Sequence, residues 1–279
     1  MPEGDTLYRL AARLRPHLVG EALTFVDFPT KSLDADRLRG RTVTAVESRG
    51  KNLLVQLDDG SALHVHLRMT GRVRVVPLWD KRGAHTASFV LETARARIVG
   101  SAIPVVRILT ASALRRDERL RALGPDPLGE RFDEGEAVVR LRRLGDVAIG
   151  EALLDQRAFA GIGNVYKSEL LFRAKLDPFT TVRAIDDVTL LALVRDAAAL
   201  LRWNGARARG RITRRPEDGA RSPTGQSVYG RTGRTCFDCE DTIRSSPQAG
   251  RTTYFCPTCQ AVRAPNAPRS ARRSTPRAR

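Results

Sequence analysis

Leu7, Leu10, Ala11, Leu14 and Leu18 recur at helical spacing and predict an amphipathic helix over 5–18. A different pattern follows, of short apolar runs: Leu23–Phe28, Thr42–Glu47, Leu53–Leu57, Leu63–Leu67, Val73–Val76, Ser88–Leu91, Arg97–Val99 and Val105–Leu109. Asp58-Asp59-Gly60 between two of them is a hairpin turn signal. So many short strands in about a hundred residues predict a β-sandwich or barrel with the first helix packed at one end. After Leu123-Gly-Pro-Asp-Pro-Leu128 the pattern turns helical, over 134–143, 150–159, 165–174 and 186–202. Residues 204–227 are rich in Gly, Arg, Ser and Pro and read as a long loop, and a cysteine-bearing module follows over 228–262. The last stretch, 263–279, has the composition of a disordered basic tail. The class is α+β, with units at 2–124, 129–227 and 228–262.

Charge narrows the partners. Lys and Arg number 48 against 31 Asp and Glu, a net +17. Six arginines and no acid lie in 261–279, so the remainder still carries +11. That excess points to a polyanion, most simply nucleic acid. An apolar fraction of 42% indicates a folded chain. No run approaches the roughly 18 apolar residues of a membrane span. The opening Met-Pro-Glu-Gly-Asp-Thr has neither the basic region nor the apolar core of a secretory signal, so a cytoplasmic, membrane-free protein is expected.

Cys236-x2-Cys239, sixteen residues, then Cys256-x2-Cys259 is the spacing of a four-thiolate zinc site, with room between the pairs for a β-hairpin. Four protein ligands leave no open position, so the metal would be structural. Phe159-Ala-Gly-Ile-Gly163-Asn164-Val-Tyr166 lies between two helical segments, with Asn164 placed to cap the second. Such a corner is either an ordinary turn or a phosphate site at a helix N-terminus, and the basic charge favours the phosphate. Removal of Met1 would free the Pro2 amine as a nucleophile, with Glu3 beside it to move protons. Arg49-Gly-Lys51 is a basic turn entering a strand. His64, His66 and Arg68 alternate onto one sheet face, as a metal pair lacking a third ligand or as a polar surface. Met69, beside a Thr-Gly turn, is either core or an apolar wedge at a DNA-facing loop.

Taken together, Met-Pro-Glu-Gly, Arg-Gly-Lys51, His66-Leu-Arg-Met69-Thr-Gly, Gly161-Ile-Gly-Asn-Val-Tyr-Lys-Ser-Glu169, Val228-Tyr-Gly-Arg and the final cysteine module resemble the formamidopyrimidine-DNA glycosylase/endonuclease VIII family over almost the whole chain. The resemblance implies an N-terminal β-sandwich, a helix–two-turns–helix unit and a zinc-finger hairpin. It implies base excision on damaged double-stranded DNA by a monomer in the bacterial cytoplasm or nucleoid. Pro2 would attack C1′ and hold the sugar as a Schiff base before β,δ-elimination, and Glu3, Lys51 and Arg251 would complete the catalytic set. Met69 would fill the gap left by the flipped nucleotide, while Gly163, Asn164, Lys167 and Arg251 would meet the DNA. Two positions depart from the family pattern: Thr6 stands where a second Glu is usual, and Thr93–Gly100 lacks an Arg-Arg-Phe wedge segment. Gly4 resembles the endonuclease VIII branch, which implies oxidised pyrimidines. An 8-oxoguanine/formamidopyrimidine glycosylase is the rival within the class, and a non-catalytic zinc-containing DNA-binding protein is the rival outside it.

Overall fold

The leucine stripe is the buried face of α1 (Gly4–Leu18) in a computed structural model that describes residues 2–208, 210–214 and 225–261. Expectations placed on the middle of the 204–227 loop and on the tail lie outside those residues. Strands β1 (Phe25–Asp27), β2 (Val43–Arg49), β3 (Asn52–Leu57), β4 (Ala62–His66), β5 (Arg72–Val76), β6 (Ala87–Glu92), β7 (Arg97–Ser101) and β8 (Val105–Leu109) follow. All eight fall within two residues of the predicted runs. They form two antiparallel four-stranded sheets, in the orders β1-β6-β7-β5 and β2-β3-β4-β8. Alternation puts Val46, Leu53, Val55, Leu63 and Val65 of one sheet in the same core as Val73, Phe89, Leu91 and Ile98 of the other, with the α1 stripe.

Two short helices, α2 (Ala111–Arg116) and α3 (Glu118–Arg121), have no counterpart in the sequence pattern. They are too short to show a period and exist through their caps. The Thr110 hydroxyl accepts from the Ala113 N–H and the Asp117 carboxylate from the Leu120 N–H, at 3.2 and 3.0 Å.

Helices α4 (Glu134–Arg142), α5 (Ile149–Ala152), α6 (Asn164–Arg173) and α7 (Asp187–Gly205) enclose a second core that includes Leu141, Phe159, Tyr166 and Leu193. The helix predicted over 150–159 stops after a single turn. Past Ala152 the backbone bonds elsewhere: Gln156 O accepts from the Gly124 N–H and the Ala160 N–H donates to Pro125 O, at 2.8 and 3.1 Å. Those bonds to the linker between the sandwich and the helices take the place of a continued helical ladder. The cysteine module is the hairpin β9 (Arg244–Gln248) and β10 (Arg251–Phe255), with its own small cluster of Val228, Ile243 and the thiols beneath. Among the described residues no helix is long and apolar enough to cross a membrane.

Candidate active site

Glu3, the last residue before α1, has no exposed surface, although it sits at the very start of the described chain. Its carboxylate crosses to the N-terminus of α6 and accepts from the Gly163, Val165 and Tyr166 N–H groups at 3.2, 2.9 and 3.3 Å. Three otherwise orphaned helix donors and the positive end of the helix dipole hold one negative charge. This explains Gly163, where a Cβ would lie 2.5 Å from the Glu3 carboxyl carbon. The turn itself needs Gly161, at φ +90°, whose carbonyl accepts from the Gly4 N–H at 2.9 Å. A Cβ on Gly4 would stand 2.9 Å from Gly161 Cα, so close backbone packing accounts for Gly4 without reference to any lesion.

Three expectations change here. The cap of α6 is Gly163 in extended conformation, with Asn164 as the first helical residue. The phosphate site foreseen at this helix end is instead occupied by a carboxylate of the chain itself, which takes the donors and repels a second anion. Gly163, expected to meet DNA, is buried and gives its N–H to Glu3.

Lys51 enters from the other side. With Gly50 it forms the two-residue loop joining β2 to β3, where Arg49 pairs with Asn52. The Asp126 carboxylate, from the linker to the helices, accepts from the Gly50 N–H at 2.7 Å. On the strand side, Asn52 donates to Arg49 O and bonds His64 Nε2, at 3.0 and 2.9 Å. Burial pushes the Lys51 ammonium down to about 8; Glu3 pulls it up, while Arg251 and Arg211 push it lower. Charges from three distant stretches thus act on one amine. His64 and His66 are pushed down to about 4, chiefly by burial, aided by Arg107 and Arg68 respectively. Both are therefore neutral at physiological pH. His64 braces the Lys51 loop through Asn52, and His66 Nδ1 accepts from the Arg68 N–H at 3.1 Å. Neither belongs to a cluster of three metal-ligand side chains among the described residues.

Asn164 and Lys167 both turn toward the cysteine hairpin. The Asn164 amide donates to Thr252 O at 2.8 Å. Lys167 is fully buried and donates to the Thr253 hydroxyl at 2.7 Å, which in turn donates to Gln248 Oε1 at 2.8 Å. Lys167 was expected on the DNA-facing side; with no exposed surface, it supports the hairpin from behind instead. Among the residues the hairpin presents to solvent is Arg251, at the first position of β10. Its guanidinium meets the Met69 sulfur at 3.9 Å, and Met69 is itself 58% exposed on the β4–β5 loop. The two exposed members of the expected DNA-facing set thus touch across the gap between sandwich and hairpin. A cavity of about 730 Å³ opens beside Pro2, lined also by Thr6, Arg9, Arg13, Leu67 and Val73.

The four cysteine sulfurs lie within 4.8 Å of one another, with Cys236–Cys259 at 3.8 Å and Cys239–Cys256 at 3.4 Å. A tetrahedral ion with bonds of about 2.3 Å separates its sulfurs by roughly 3.8 Å. The four thiols fit such an ion.

Two residues with large roles, Glu169 fully buried and Arg211 largely so, carried no sequence signal that singled them out. Glu169 accepts from the Ser227, Val228 and Tyr229 N–H groups at 2.7, 2.8 and 2.8 Å and from the Thr213 hydroxyl at 2.7 Å. It fixes the start of the cysteine module to α6 as Glu3 fixes the chain start. Arg211 pairs with Asp5, which is fully buried and also pairs with Arg9 at 3.2 Å. Both lie in stretches whose sequence reads as ordinary helix and loop, and only the acid at the end of Gly-Ile-Gly-Asn-Val-Tyr-Lys-Ser-Glu169 stood inside a recognised motif.

Comparison with known proteins agrees with this geometry. The family model described as the formamidopyrimidine-DNA glycosylase N-terminal domain matches residues 1–100, and that of the corresponding H2TH domain matches 123–214. A probable endonuclease 8 2 of Streptomyces coelicolor is 41% identical over 274 residues, spanning 95% of this chain and 96% of the relative. A DNA-(apurinic or apyrimidinic site) lyase Nei2 of Mycolicibacterium smegmatis is 35% identical over 260 residues, spanning 93% and 99%. The crystal structure of wild-type Lactococcus lactis Fpg with DNA containing N7-benzyl-Fapy-dG superposes with a TM-score of 0.78 at 25% identity, covering 94% of this chain and all of the other. With the Pro-Glu start locked to the Gly-x-Gly-Asn turn, and whole-length relatives on every side, the chain belongs to the formamidopyrimidine-DNA glycosylase/endonuclease VIII family.

Proposed function

We propose that this protein is a bifunctional DNA glycosylase and AP lyase of base-excision repair, acting on oxidised bases in duplex DNA with pyrimidines favoured. The observation that carries this reading is the Glu3 carboxylate, buried on the α6 N-terminus next to Pro2 and coupled to Lys51. A binding protein has no need of that arrangement. With Met1 removed, the Pro2 amine attacks C1′, the glycosidic bond breaks, and the base leaves with a proton. The sugar is then held as an iminium until loss of the 3′ and 5′ phosphates releases it. Glu3, oriented by three fixed N–H donors, moves protons at the sugar. Lys51 and Arg251 supply positive charge at the lesion strand, and Met69 enters the gap left by the flipped nucleotide, offsetting an unstacking cost of a few kcal/mol. On this reading the sandwich carries the nucleophile, the helical unit holds it, and the hairpin grips the backbone. Zinc held by Cys236, Cys239, Cys256 and Cys259 keeps that hairpin folded. The protein acts as a monomer.

Cleavage of otherwise identical duplexes carrying 5-hydroxyuracil or 8-oxoguanine tests the substrate assignment. Faster strand scission at 5-hydroxyuracil is expected. Faster scission at 8-oxoguanine would move the protein to the purine branch, and binding of both without scission would make it a non-catalytic binder.

Lys51 gives a second check. With its pKa at about 8 in the free protein, it carries about half a proton at pH 8. An approaching phosphate favours the charged form, so binding at pH 8 should take up roughly half a proton, and at pH 6 almost none. Titration calorimetry with an uncleavable abasic duplex in buffers of different ionisation enthalpy measures this in a form blocked at Pro2, whose free amine would titrate in the same range, and Lys51→Met in that background should abolish it. Uptake that persists in Lys51→Met would place the linked group elsewhere.

A further inference from the structure

Arg211 follows α7 and lies about 200 residues from the chain start in sequence, yet its side chain is only 10% exposed and points into the N-terminal segment. Its fork reaches both Asp5 oxygens, through Nη2 and through Nε at 3.1 Å. Nη2 also donates to the Thr6 hydroxyl at 3.1 Å. That same hydroxyl oxygen accepts the Glu3 N–H at 3.4 Å, the N–H of the Pro2–Glu3 peptide. Nη1 lies 4.0 Å from Glu3 Oε1, and the guanidinium carbon sits 5.0 Å from the centroid of the Tyr166 ring, on α6. One planar cation therefore contacts the peptide of the nucleophile through Thr6, its neighbouring acid through space, and the helix that holds that acid through a ring face. A lysine, with a single charged point, has no means of making all these contacts at once.

We propose that Arg211 is a positioning residue for the Pro2 nucleophile: through Thr6 and Asp5 it sets the orientation of the Pro2–Glu3 peptide and hence the direction in which the amine attacks. This rests on Pro2 being the Schiff-base nucleophile. On this proposal Arg211 acts through Thr6 and Asp5, and its side chain is only 10% exposed, unlike the exposed Arg251. Its positive charge also disfavours protonation of amines nearby, as it does for Lys51. Among the described residues, the charged and titratable groups around it include Glu3, Asp5 and Arg9 on the α1 segment and Tyr166 on α6, with Lys51 of the β2–β3 loop and Tyr229 reached electrostatically.

The test uses the full chain and a duplex with one abasic site, following borohydride-trapped product in single turnover from pH 5.5 to 9, alongside affinity for an uncleavable abasic duplex. In Arg211→Met, trapping should slow about 10- to 100-fold, the scale of a misplaced reacting group, while affinity changes by less than about threefold. The midpoint of the pH profile should move to higher pH. Arg211→Lys should restore the midpoint, because the charge returns, but only part of the rate, because the fork does not. Asp5→Asn combined with Arg211→Met removes the carboxylate left short of a partner, so a folding defect should be relieved while trapping stays slow. Wild-type trapping rates in that double variant, or affinity falling in step with rate in Arg211→Met, would overturn the proposal. A wild-type protein that traps no DNA at all would overturn the Pro2 reading beneath it.

Discussion

Borohydride added to the wild-type protein on a duplex with one abasic site should give a covalent protein–DNA band, and a form retaining any residue in front of Pro2 should give none. The physical reason lies in the nitrogen. A freed Pro2 is a secondary amine with an α-amino pKa near 8, so a usable fraction is neutral at physiological pH. Behind another residue it becomes an amide nitrogen without an available lone pair. The expected loss is at least about 10³-fold, the order found when a covalent nucleophile is removed. Binding should survive in the blocked form, because the hairpin and Met69 do not depend on that amine. Trapping through some other amine, such as that of Lys51, which Glu3 and Arg251 both influence, would show as a band that persists in the blocked form and disappears in Lys51→Met.

Stripping the metal, or Cys256→Ser, should abolish tight binding to lesion duplexes while leaving the sandwich folded. Among the described residues, the cluster beneath the hairpin holds only Phe172, Val228, Cys236, Ile243 and Cys256 as buried members. So small a core does not hold a two-stranded ribbon by itself. A zinc held by the four thiols would contribute what the core lacks, as structural zinc is worth about 10–16 kcal/mol in small folds of this kind. Release of the hairpin removes Arg251 from the DNA side and breaks the Asn164–Thr252 and Lys167–Thr253 contacts with α6. A fall of about 10²-fold or more in affinity is expected, with a shallower dependence on salt as a phosphate contact goes. Metal content by atomic absorption, read beside affinity and circular dichroism, checks this. A metal-free protein that binds as tightly as the loaded one would remove zinc from the function.

The strand runs and the α1 stripe were legible because burial imposes a period, and a two-residue or 3.6-residue period survives in a single sequence. The cysteine pairs were legible because a four-thiolate site constrains local spacing. Other features were legible only in part. The Gly-x-Gly-Asn turn announced a close approach without revealing to what, since its partner lies some 160 residues away, at Glu3. Local physics offered a phosphate, and tertiary structure supplied a carboxylate instead. The burial of Lys167 was illegible for a related reason: a lysine beside a basic turn reads as a surface charge, and nothing local records its Thr253 partner in the interior. Arg211 and Asp5 were invisible, as an ion pair between two ordinary segments leaves no periodic trace.

The sequence by itself determined the α+β class, the sandwich strands, the cysteine ligand set and the residues whose order marks the family, all of which are encoded in patterns of neighbours. Tertiary structure decided which charges face inward. It turned the N-terminus of α6 toward Glu3, gathered the charges of Glu3, Arg251 and Arg211 around Lys51, and buried Lys167 against Thr253. The reason is that a charge is buried only where a distant partner meets it, and the identity of that partner is fixed by the fold of the whole chain.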